Sequence, residues 1–490
     1  MTRVLVTGAT GYIGGRLVPL LLDAGHEVSV LVRSPWKLRD VPWRERVGIF
    51  KGDLTDAVAT RRAMNGTDVA FYLVHSMSAG RDFERAEQQS AENFAEAATG
   101  ARVGRIVYLG GLHPDQGALS RHLSSRTTVG QTFLDGEVPA IVFQAGIVIG
   151  SGSASFEMIR HLTEVLPYMP APQWVRNHVQ PIAIRDVLRY LLRAVTIAEP
   201  LNRTFDIGGP DVLRYGQMMN GYAVEAGLPQ RGIASLPVLT PWLASQWVGL
   251  VSPVPRALAV PIIASLQNDC VVIEHDIDAY IPPPGNGLLP YRTAVRLALR
   301  RETDGEVETS WQSATVPGAP SDPLPSDPDW AGHTVFTDLR ERRSTASPDE
   351  VWNVIESIGG DKGWYSFPLA WAARGWIDRI VGGVGMRRGR RHPSRVNSGD
   401  VIDVWRVESV ERGRMLRLRA EMRMPGRGWL ELGVEPAEQG SRYRQRAVYF
   451  PKGLSGRLYW AILLPFHGII FNGMAARILR EAEAATGDSA

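Results

Sequence analysis

Three glycines near the start of the sequence, Gly8, Gly11 and Gly14, have the residue type and spacing that can bind a phosphate group. They follow a β-branched run at residues 4–6 and precede an apolar helical pattern at residues 17–22. Because glycine has no Cβ atom, the chain can turn sharply and a pyrophosphate can approach the free N–H groups at a helix start. The pattern predicts a nucleotide site in a strand–turn–helix unit; the alternative is a structural turn without a ligand.

The elements that follow indicate how this turn is supported. Apolar, strand-like runs recur near residues 28–32, 47–50, 69–74, 105–109 and 140–142. Helical patterns lie between them, including one at 83–98, and a further strand is expected near 204–207. Such alternation is typical of an α/β fold with a doubly wound Rossmann parallel sheet and helices on both faces. We expect residues 1–312 to form this domain, with a small substrate subdomain at about 150–310.

A change of composition marks the end of this domain. Residues 313–332 begin SATVPGAPSDPLPSDPD, and this Pro/Ser/Asp-rich composition predicts a linker. Beyond it, Ser347 and Glu350 form a capping-box pattern with Pro348 at the first helical position. Apolar and charged residues then alternate at 415–424, as in a half-buried antiparallel strand, and the patterns at 400–407, 429–434 and 442–450 are similar. A long helical pattern with a candidate break at Pro465 completes an expected α+β domain at 333–490.

Residues 1–312 resemble the atypical short-chain dehydrogenase/reductase family, in the branch of NmrA-like regulators and the nucleotide-binding accessory subunit of respiratory complex I. The motifs are TGATGYIGG at 7–15, VLVRSPWK at 30–37, GDLTD at 52–56, YLVHSM at 72–77 and PIAIRDV at 181–187. The resemblance implies that the glycine turn and later loops bind a dinucleotide. The implied residues are Gly8, Thr10, Gly11, Tyr12, Ile13 and Gly14 at the pyrophosphate, Asp53 and Leu54 at the adenine, and His75 and Ser76 at the nicotinamide ribose.

The residues after the predicted second strand favour one of the two nicotinamide cofactors. The strand ends at Val32 and is followed by Arg33 and Ser34, with Lys37 nearby. An acidic residue here binds the 2′-hydroxyl of NAD, whereas an arginine accommodates the 2′-phosphate of NADP. We therefore expect NADP rather than NAD, with a solvent-facing Arg33 as the alternative.

The catalytic pair of the resembled family is replaced in this sequence. Family reductases use a Tyr-x-x-x-Lys pair, and the equivalent positions in SRHLSSRTTVGQTF hold His122 and Arg126, also four residues apart on one helix face. A histidine, which titrates near about pH 6.5, can donate a proton. An arginine stays charged and can hold the ribose. The alternative is a helix that has lost its catalytic role, in an NADP(H)-binding sensor.

Residues 333–490 resemble the helix-grip fold of START-type and polyketide-cyclase-type domains, and an uncharacterised domain appended to reductases of this branch. The runs that carry the resemblance lie at 363–391, 399–408, 420–432 and 450–467. It implies a curved sheet around a long helix, with an apolar cavity for a hydrophobic ligand. The tryptophans of this domain suit either such a ligand or an ordinary core: Trp352, Trp364, Trp371, Trp376, Trp405, Trp429 and Trp460.

The charge of the chain is unevenly distributed. Residues 333–490 contain 25 Lys and Arg against 18 Asp and Glu, a net charge of +7, whereas the whole chain carries +3. The residues Arg387, Arg388, Arg390 and Arg391 form a glycine-flanked basic cluster that fits phosphate, a membrane headgroup or the other domain. We expect no nucleic-acid partner, because no helix-turn-helix pattern or aromatic–basic interleaving accompanies the cluster.

Cysteine usage and hydropathy bear on the cellular setting. The single cysteine, Cys270, excludes an internal disulfide framework and a cysteine-based zinc cluster, and we expect no metal site. With no secretory signal evident in residues 1–20, this predicts a cytoplasmic protein. Two apolar stretches, at 233–266 and 458–474, are interrupted by prolines and are expected to be buried or interfacial, which leaves peripheral membrane contact open.

These patterns together predict an NADP(H)-dependent oxidoreductase that acts on a bulky apolar carbonyl compound, such as a quinone-, polyketide- or lipid-like molecule. The second domain is expected to bind or shield that substrate. The alternative is a non-catalytic NADP(H)-binding sensor or scaffold that binds a hydrophobic ligand or a membrane surface.

Overall fold

The computed structural model describes residues 1–39, 41–74, 83–114, 119–235, 256–303, 335–359, 395–422 and 424–487. The chain divides into two compact units, Met1–Gly332 and His333–Ala490. Several predictions lie outside the described residues: the linker at 313–332, His75 and Ser76, the basic cluster at 387–391, and Trp364, Trp371 and Trp376.

The first unit is built around a parallel sheet. Its described strands are β1 (Arg3–Thr7), β2 (Glu27–Val32), β3 (Gly48–Lys51), β4 (Val69–Tyr72), β5 (Arg105–Gly111), β6 (Ala140–Ala145), β7 (Val148–Ile149), β8 (Tyr168–Ala171), β9 (His178–Val179), β10 (Ile182–Ala183), β11 (Arg203–Ile207), β12 (Leu213–Arg214) and β13 (Gly232–Ser235). Seven of them form one sheet in the order β11-β6-β5-β4-β1-β2-β3, and all neighbours run parallel. The order reverses at β1, which pairs with both β2 and β4. This confirms the doubly wound Rossmann topology.

Helices cover both faces of this sheet. The described helices of the first unit are α1 (Tyr12–Asp23), α2 (Ala57–Met64), α3 (Phe83–Gly100), α4 (Arg121–Leu134), α5 (Ala154–Val165), α6 (Ile184–Ala194), α7 (Tyr215–Glu225), α8 (Arg256–Ser265) and α9 (Tyr291–Thr303). Val4 and Val6 of β1 pack with α1 and α6 in one apolar cluster, whereas Leu5 packs with α2, α3 and α4 in another. Alternate residues of one strand thus enter opposite cores, which is why a central parallel strand is an uninterrupted apolar run.

A third apolar cluster lies outside the sheet, around α5, α7 and α9. Phe156 and Tyr222 meet edge to face there, with ring centroids 5.9 Å apart. Three short strand pairs accompany it: β7 with β10, β8 with β13, and β9 with β12. These elements follow β6 in the chain and supply a second wall above the carboxyl ends of the sheet strands.

The second unit contains an antiparallel sheet and two described helices. Its elements are β14 (Phe336–Ser344), α10 (Pro348–Glu356), β15 (Val401–Ile402), β16 (Trp405–Glu411), β17 (Met415–Ala420), β18 (Gly426–Pro436), β19 (Ser441–Pro451) and α11 (Gly453–Gly487). The six strands are ordered β14-β19-β18-β17-β16-β15. The predicted capping box is confirmed, since Glu350 N–H donates to Ser347 Oγ (3.3 Å) and Ser347 N–H donates to Glu350 Oε2 (2.7 Å).

Two local expectations for this unit are wrong. The run at 400–407 is a hairpin rather than one strand, because Asp403 adopts a left-handed φ of 52° between β15 and β16. The helix α11 also continues through Pro465. Because Pro465 and Ala461 are both exposed, water can satisfy the carbonyl that the missing proline N–H leaves unpaired.

The long helix α11 has a core half and an exposed half. Phe471, Met474 and Ile478 lie in the apolar core of the second unit, whereas most side chains between 454 and 469 do not. The segment Gly453–Ala484 is long and apolar enough to cross a membrane, and 28% of its most apolar stretch is buried in the protein. The core helix of a soluble protein can have the same length and composition, so these two properties are weak evidence for a membrane span.

Candidate functional site

The glycine turn joins β1 to α1 and depends on two positions that exclude a side chain. Gly8 has a left-handed φ of 77°, and a Cβ atom there would lie 2.4 Å from the Leu73 carbonyl oxygen. A Cβ atom at Gly14 would lie 2.4 Å from the Gly8 carbonyl oxygen. The first glycine therefore allows the turn beside β4, and the third allows α1 to pack against it.

The start of α1 offers hydrogen-bond donors at the edge where β1 ends. Gly11 is the N-cap residue and provides no side-chain hydrogen bond to the first turn. Its own N–H donates to the Gly8 carbonyl at 2.9 Å, which closes the turn. Thr10, Tyr12 and Ile13 are half-buried around it. An exposed glycine turn, the N–H groups of the first helical turn and the helix dipole fit a pyrophosphate.

The predicted nucleoside-binding residues lie along the same edge. Arg33 follows β2 and its side chain is 77% exposed, with Nε 3.9 Å from Asp53 Oδ2 beyond the neighbouring strand β3. Ser34 is half-buried, and Lys37 is exposed with Nζ 5.8 Å from the Trp36 ring. The structure thus brings Arg33 and Asp53 together and leaves the Arg33 guanidinium accessible to an anionic ligand.

The loop after β3 is held by its own polar groups. Asp53 Oδ1 accepts hydrogen bonds from the backbone N–H and the hydroxyl of Thr55, at 2.9 and 2.8 Å. Leu54 is buried, and its carbonyl accepts a 2.9 Å bond from Asn93 Nδ2 on α3. The helix cap of α2 is Asp56, which accepts from Val58 and Ala59 N–H. Asp53 therefore fixes the loop and is not the cap of α2.

A cavity of about 310 Å³ lies at the carboxyl ends of the central strands. Tyr12 and Ile13 from the glycine turn line it, together with His122 and Arg126 from α4. Most of the remaining lining is apolar: Leu73, Val74, Leu109, Leu112, Leu123, Ile147, Val148, Val179, Ile262 and Leu266. The structure thus places the two predicted catalytic residues in the same cavity as two predicted cofactor residues, where doubly wound folds bind their ligands.

Helix α4 is anchored so that its inner face meets this cavity. Ser120 caps it by accepting the Leu123 N–H at 3.2 Å, and Arg121 forms two 2.8 Å hydrogen bonds with Glu84 on α3. Further along, the Ser125 hydroxyl donates to the buried Glu87 carboxylate. These contacts fix the register of α4, so that His122 is 93% buried at the cavity.

The environment of Arg126 keeps a cation in an otherwise apolar wall. The hydroxyl of Tyr108 on β5 donates to the Arg126 carbonyl at 3.2 Å. Burial lowers the pKa of Arg126, while Tyr108 and Glu87 act in the opposite direction. An arginine starts so far above neutrality that it remains charged at physiological pH. Arg126 can therefore bind an anionic or hydroxyl-bearing part of a ligand.

Sequence reasoning missed the wall supplied by the second half of the unit. Tyr215 at the start of α7 and Cys270 both line the cavity. The Tyr215 ring meets Trp174 edge to face, with centroids 5.3 Å apart. Burial, with a smaller effect of Asp269, raises the pKa of Cys270 to about 11. No motif marks these residues, because only the chain topology brings them beside α4. Within the described residues, no group of three or more His, Cys, Asp or Glu could hold a metal ion.

Comparison with known proteins agrees with this geometry for the N-terminal segment. Residues 8–133 match a family described as NAD(P)H-binding. The first unit has a Rossmann fold, and its N-terminal part is similar to this family. Residues 330–474 match a family described as a protein of unknown function, DUF2867. That second match gives no support for a START-type relationship, which stays a prediction.

Curated relatives that are similar to part of this chain include dehydrogenases and reductases. One is 3 beta-hydroxysteroid dehydrogenase/Delta 5-->4-isomerase of Mycobacterium tuberculosis, 34% identical over 116 residues, or 22% of this chain and 30% of the relative. Another is ceramide reductase of Caulobacter vibrioides, 28% identical over 173 residues, or 34% of this chain and 53% of the relative. The chain spans only about a third to a half of the length of these relatives.

Two of the similar solved structures each cover 61% of this chain. Triphenylmethane reductase of Citrobacter sp., complexed with NADP(H), has 17% identity and a TM-score of 0.48, covering 61% of this chain and all of that one. The protein MoeE5 in complex with UDP-glucuronic acid and NAD also has 17% identity, with a TM-score of 0.47. Because these neighbours include complexes with either cofactor, they do not distinguish NADP from NAD.

Proposed function

We propose that the protein is an NADP(H)-dependent oxidoreductase that acts on a carbonyl group of a bulky apolar molecule. The observation that carries the proposal is that one cavity is lined both by Tyr12 and Ile13 of the glycine turn and by His122 and Arg126 of α4. A proton donor and a fixed cation therefore lie beside the predicted dinucleotide site. When bound, NADPH supplies a hydride to a carbonyl carbon.

In this proposal His122 gives a proton to the carbonyl oxygen, and Arg126 holds the cofactor ribose or the developing alkoxide. Both side chains project from one face of α4, which replaces the Tyr-x-x-x-Lys pair with residues of matching spacing. The apolar lining and the burial of His122 exclude much of the water that would compete for the proton. General acid catalysis of this kind typically contributes about 10²- to 10⁴-fold in rate.

We further propose NADP as the cofactor, through Arg33 and Lys37. The position and exposure of Arg33 support this choice of cofactor. Arg33 directly follows β2, and its guanidinium is exposed to solvent at the sheet edge where the ribose would lie. A charged hydrogen bond of about 1.5–3 kcal/mol would favour the 2′-phosphate over a 2′-hydroxyl roughly tenfold to a hundredfold. The Asp53 carboxylate reduces this preference for the 2′-phosphate, because it lies near Arg33 and partly neutralises the guanidinium charge.

The substrate class rests on the lining of the cavity. Its leucine, isoleucine and valine side chains favour an apolar ligand body, and the names of two relatives refer to a hydroxysteroid and to ceramide. We propose that the second unit binds or shields this substrate. The described tryptophans of this unit are all more than 90% buried, and Trp352 and Trp405 belong to the packed core. Their main role is therefore to stabilise the unit rather than to contact a ligand.

The test is consumption of NADPH by the full-length protein with a panel of steroid ketones, quinones and ceramide-like ketones. We expect turnover with at least one member, and His122→Gln to lower kcat about 100-fold or more while the Kd for NADPH stays within twofold. His275→Gln, at an exposed histidine of the same unit, is the control. Unchanged turnover in His122→Gln would exclude this residue as the proton donor.

A second candidate function is a non-catalytic NADP(H)-binding scaffold that contacts a membrane surface. The observation behind it is the exposed apolar face of α11, formed by Leu458, Ile462, Phe466 and Ile469, which are 54–67% exposed. Their spacing places them on one side of the helix. Lys452 and Arg457 are the charged residues between 447 and 476, with no acidic residue among them, which suits an anionic surface.

Sedimentation with lipid vesicles separates this candidate from the first. We expect full-length protein to bind vesicles containing phosphatidylserine more than neutral ones, with Ile462→Glu/Phe466→Glu reducing binding at least tenfold. Val58→Glu/Val212→Glu places the same charges at exposed apolar positions of the first unit as a control. Absence of NADPH turnover with the whole panel, together with vesicle binding, would favour the scaffold.

A further inference from the structure

A second cavity, of about 520 Å³, lies in the first unit, and none of its described lining residues lines the cavity discussed above. It is bounded by the segment before β9, by α7 and by β13. Gly216 lines it, whereas the adjacent Tyr215 lines the first cavity, so the two lie on different sides of the first turn of α7. This size falls within the range of small-molecule sites.

The polar lining of this second cavity is strongly basic. Arg176, Arg214, Arg231 and Arg292 all contribute to it, and no carboxylate is among the lining residues that the structure describes. Arg176 and Arg214 are exposed at its edge. Arg292 is partly neutralised, because its Nη2 lies 2.7 Å from Glu225, which also pairs with Arg296. Arg176 and Arg214 have no ion-pair partner in the part of the chain that the structure describes, so at least two guanidinium groups can contact an anion.

Arg231 is the buried member of this set. Its residue is only 9% exposed, and its backbone is fixed by Asn220, whose Oδ1 accepts the Arg231 N–H at 2.7 Å. Its buried Nε makes no hydrogen bond to any group in the described part of the chain. Glu164, which accepts the Tyr222 hydroxyl, is the carboxylate that acts on it electrostatically. Arg231 lines the cavity although this Nε is inaccessible, so an anion in the cavity would stabilise the buried guanidinium as a counter-charge.

We propose that this cavity binds the phosphate group of a small soluble metabolite, at a site separate from the dinucleotide turn. Several guanidinium forks from different elements match the oxygens of one phosphate group, which can accept more hydrogen bonds than a carboxylate. Val175, Val224 and Ile233 line the same cavity and offer apolar contact to the carbon part of the ligand. The inference does not depend on the oxidoreductase activity proposed above.

Calorimetric titration of the full-length protein with inorganic pyrophosphate tests the site. The protein is first saturated with NADPH, so that the glycine turn is not the binding site measured. We expect saturable binding that weakens about tenfold or more in Arg176→Gln/Arg214→Gln, since one lost charged hydrogen bond corresponds to roughly tenfold in Kd. Arg39→Gln/Arg193→Gln removes the same charge from exposed positions of this unit and should leave the Kd within twofold.

The buried arginine provides a second, independent variant. Arg231→Lys keeps the positive charge but removes the guanidinium fork, and we expect it to weaken pyrophosphate binding about tenfold as well. Absence of saturable pyrophosphate binding would overturn the proposal. Equal weakening in the control variant would also overturn it, because it would show that the binding is nonspecific electrostatic attraction. If NADPH does not bind, the same titration is done on the free protein. Weaker pyrophosphate binding in the arginine variants then still assigns the binding to this cavity, because these variants leave the glycine turn unchanged.

Discussion

The guanidinium of Arg126 lies against the backbone of Gly111, at the carboxyl end of β5. A Cβ atom built at Gly111 would lie 3.0 Å from Arg126 Nη1, closer than about nine in ten real Cβ contacts. The absent side chain of Gly111 therefore leaves the space that the Arg126 side chain uses. Gly111, which the sequence indicates only as part of a strand, therefore affects the position of Arg126, one of the two proposed active-site residues.

Gly111→Ala tests whether the position of Arg126 matters. The contact is with the end of a flexible side chain, so we expect the free energy of unfolding to change by less than about 1 kcal/mol. We expect kcat/KM with a substrate from the panel, or affinity for NADPH, to fall about tenfold as Arg126 moves. Gly100→Ala, where an added methyl group meets nothing within 4 Å, is the control. Unaltered kinetics and unaltered NADPH affinity would show that the position of Arg126 is unimportant.

Arg33→Gln addresses cofactor choice. We expect the Kd for NADPH to rise roughly tenfold to a hundredfold, as befits one charged hydrogen bond to the 2′-phosphate, while the Kd for NADH stays within twofold. Fluorescence titration with both cofactors measures the ratio. Arg39→Gln, at the next exposed arginine of the loop, should change neither value. Parallel losses for both cofactors in Arg33→Gln would mean that Arg33 does not read the 2′ position.

The thiol of Cys270 should be unreactive in the folded protein. Burial raises its pKa from 9.0 to about 11, so at pH 8 only about one thiol in a thousand is ionised. We expect slow alkylation by iodoacetamide that accelerates as the pH rises towards 11, and fast alkylation after unfolding in urea. Since the folded state holds a proton that the unfolded state releases, this group also lowers stability as pH rises from about 9 to 11. Rapid modification at pH 7.5 would contradict this description.

Glu431 should contribute strongly to the stability of the second unit. It pairs with Arg417 on one neighbouring strand (2.8 Å) and with Arg446 on the other (2.7 Å), and all three side chains are at most 20% exposed. We expect Glu431→Gln to lower the free energy of unfolding by about 2–4 kcal/mol, because two half-buried arginines lose their counter-charge. Glu411→Gln breaks an exposed pair with Arg414 and should cost about 0.5 kcal/mol or less. Urea denaturation monitored by tryptophan fluorescence compares the two variants.

Local sequence patterns account for much of the fold. The spacing of Gly8 and Gly14, the buried runs of the parallel strands and the Ser347 capping box each arise from short-range chemistry. The cross-strand partners of Glu431 could not be derived in this way. They depend on the register that sets Glu431 opposite Arg417 on β17 and Arg446 on β19. Register follows from packing of the whole sheet, not from any one segment.

The candidate site shows the same division between local and long-range information. The glycine turn is one continuous segment, so its role is visible in the sequence. The cavity also needs Tyr215 and Cys270, which lie far from α4 in the chain and have no periodic or spaced pattern around them. Gly111 is likewise unremarkable in the sequence, because its importance depends on a side chain from the following helix. Long-range packing therefore determines what the turn alone cannot indicate.

The pairing of β14 with β19 has a consequence for how the second unit folds. Phe336 lies opposite Tyr449, 113 positions later in the chain, and α11 adds its core residues only after that. During synthesis, β14 leaves the ribosome long before its partner exists. Closing so large a loop carries a high entropic cost, and sheets of high contact order fold slowly, in about milliseconds to seconds. The unit is therefore expected to acquire its structure late and in one cooperative step, with β14 open to chaperones until then.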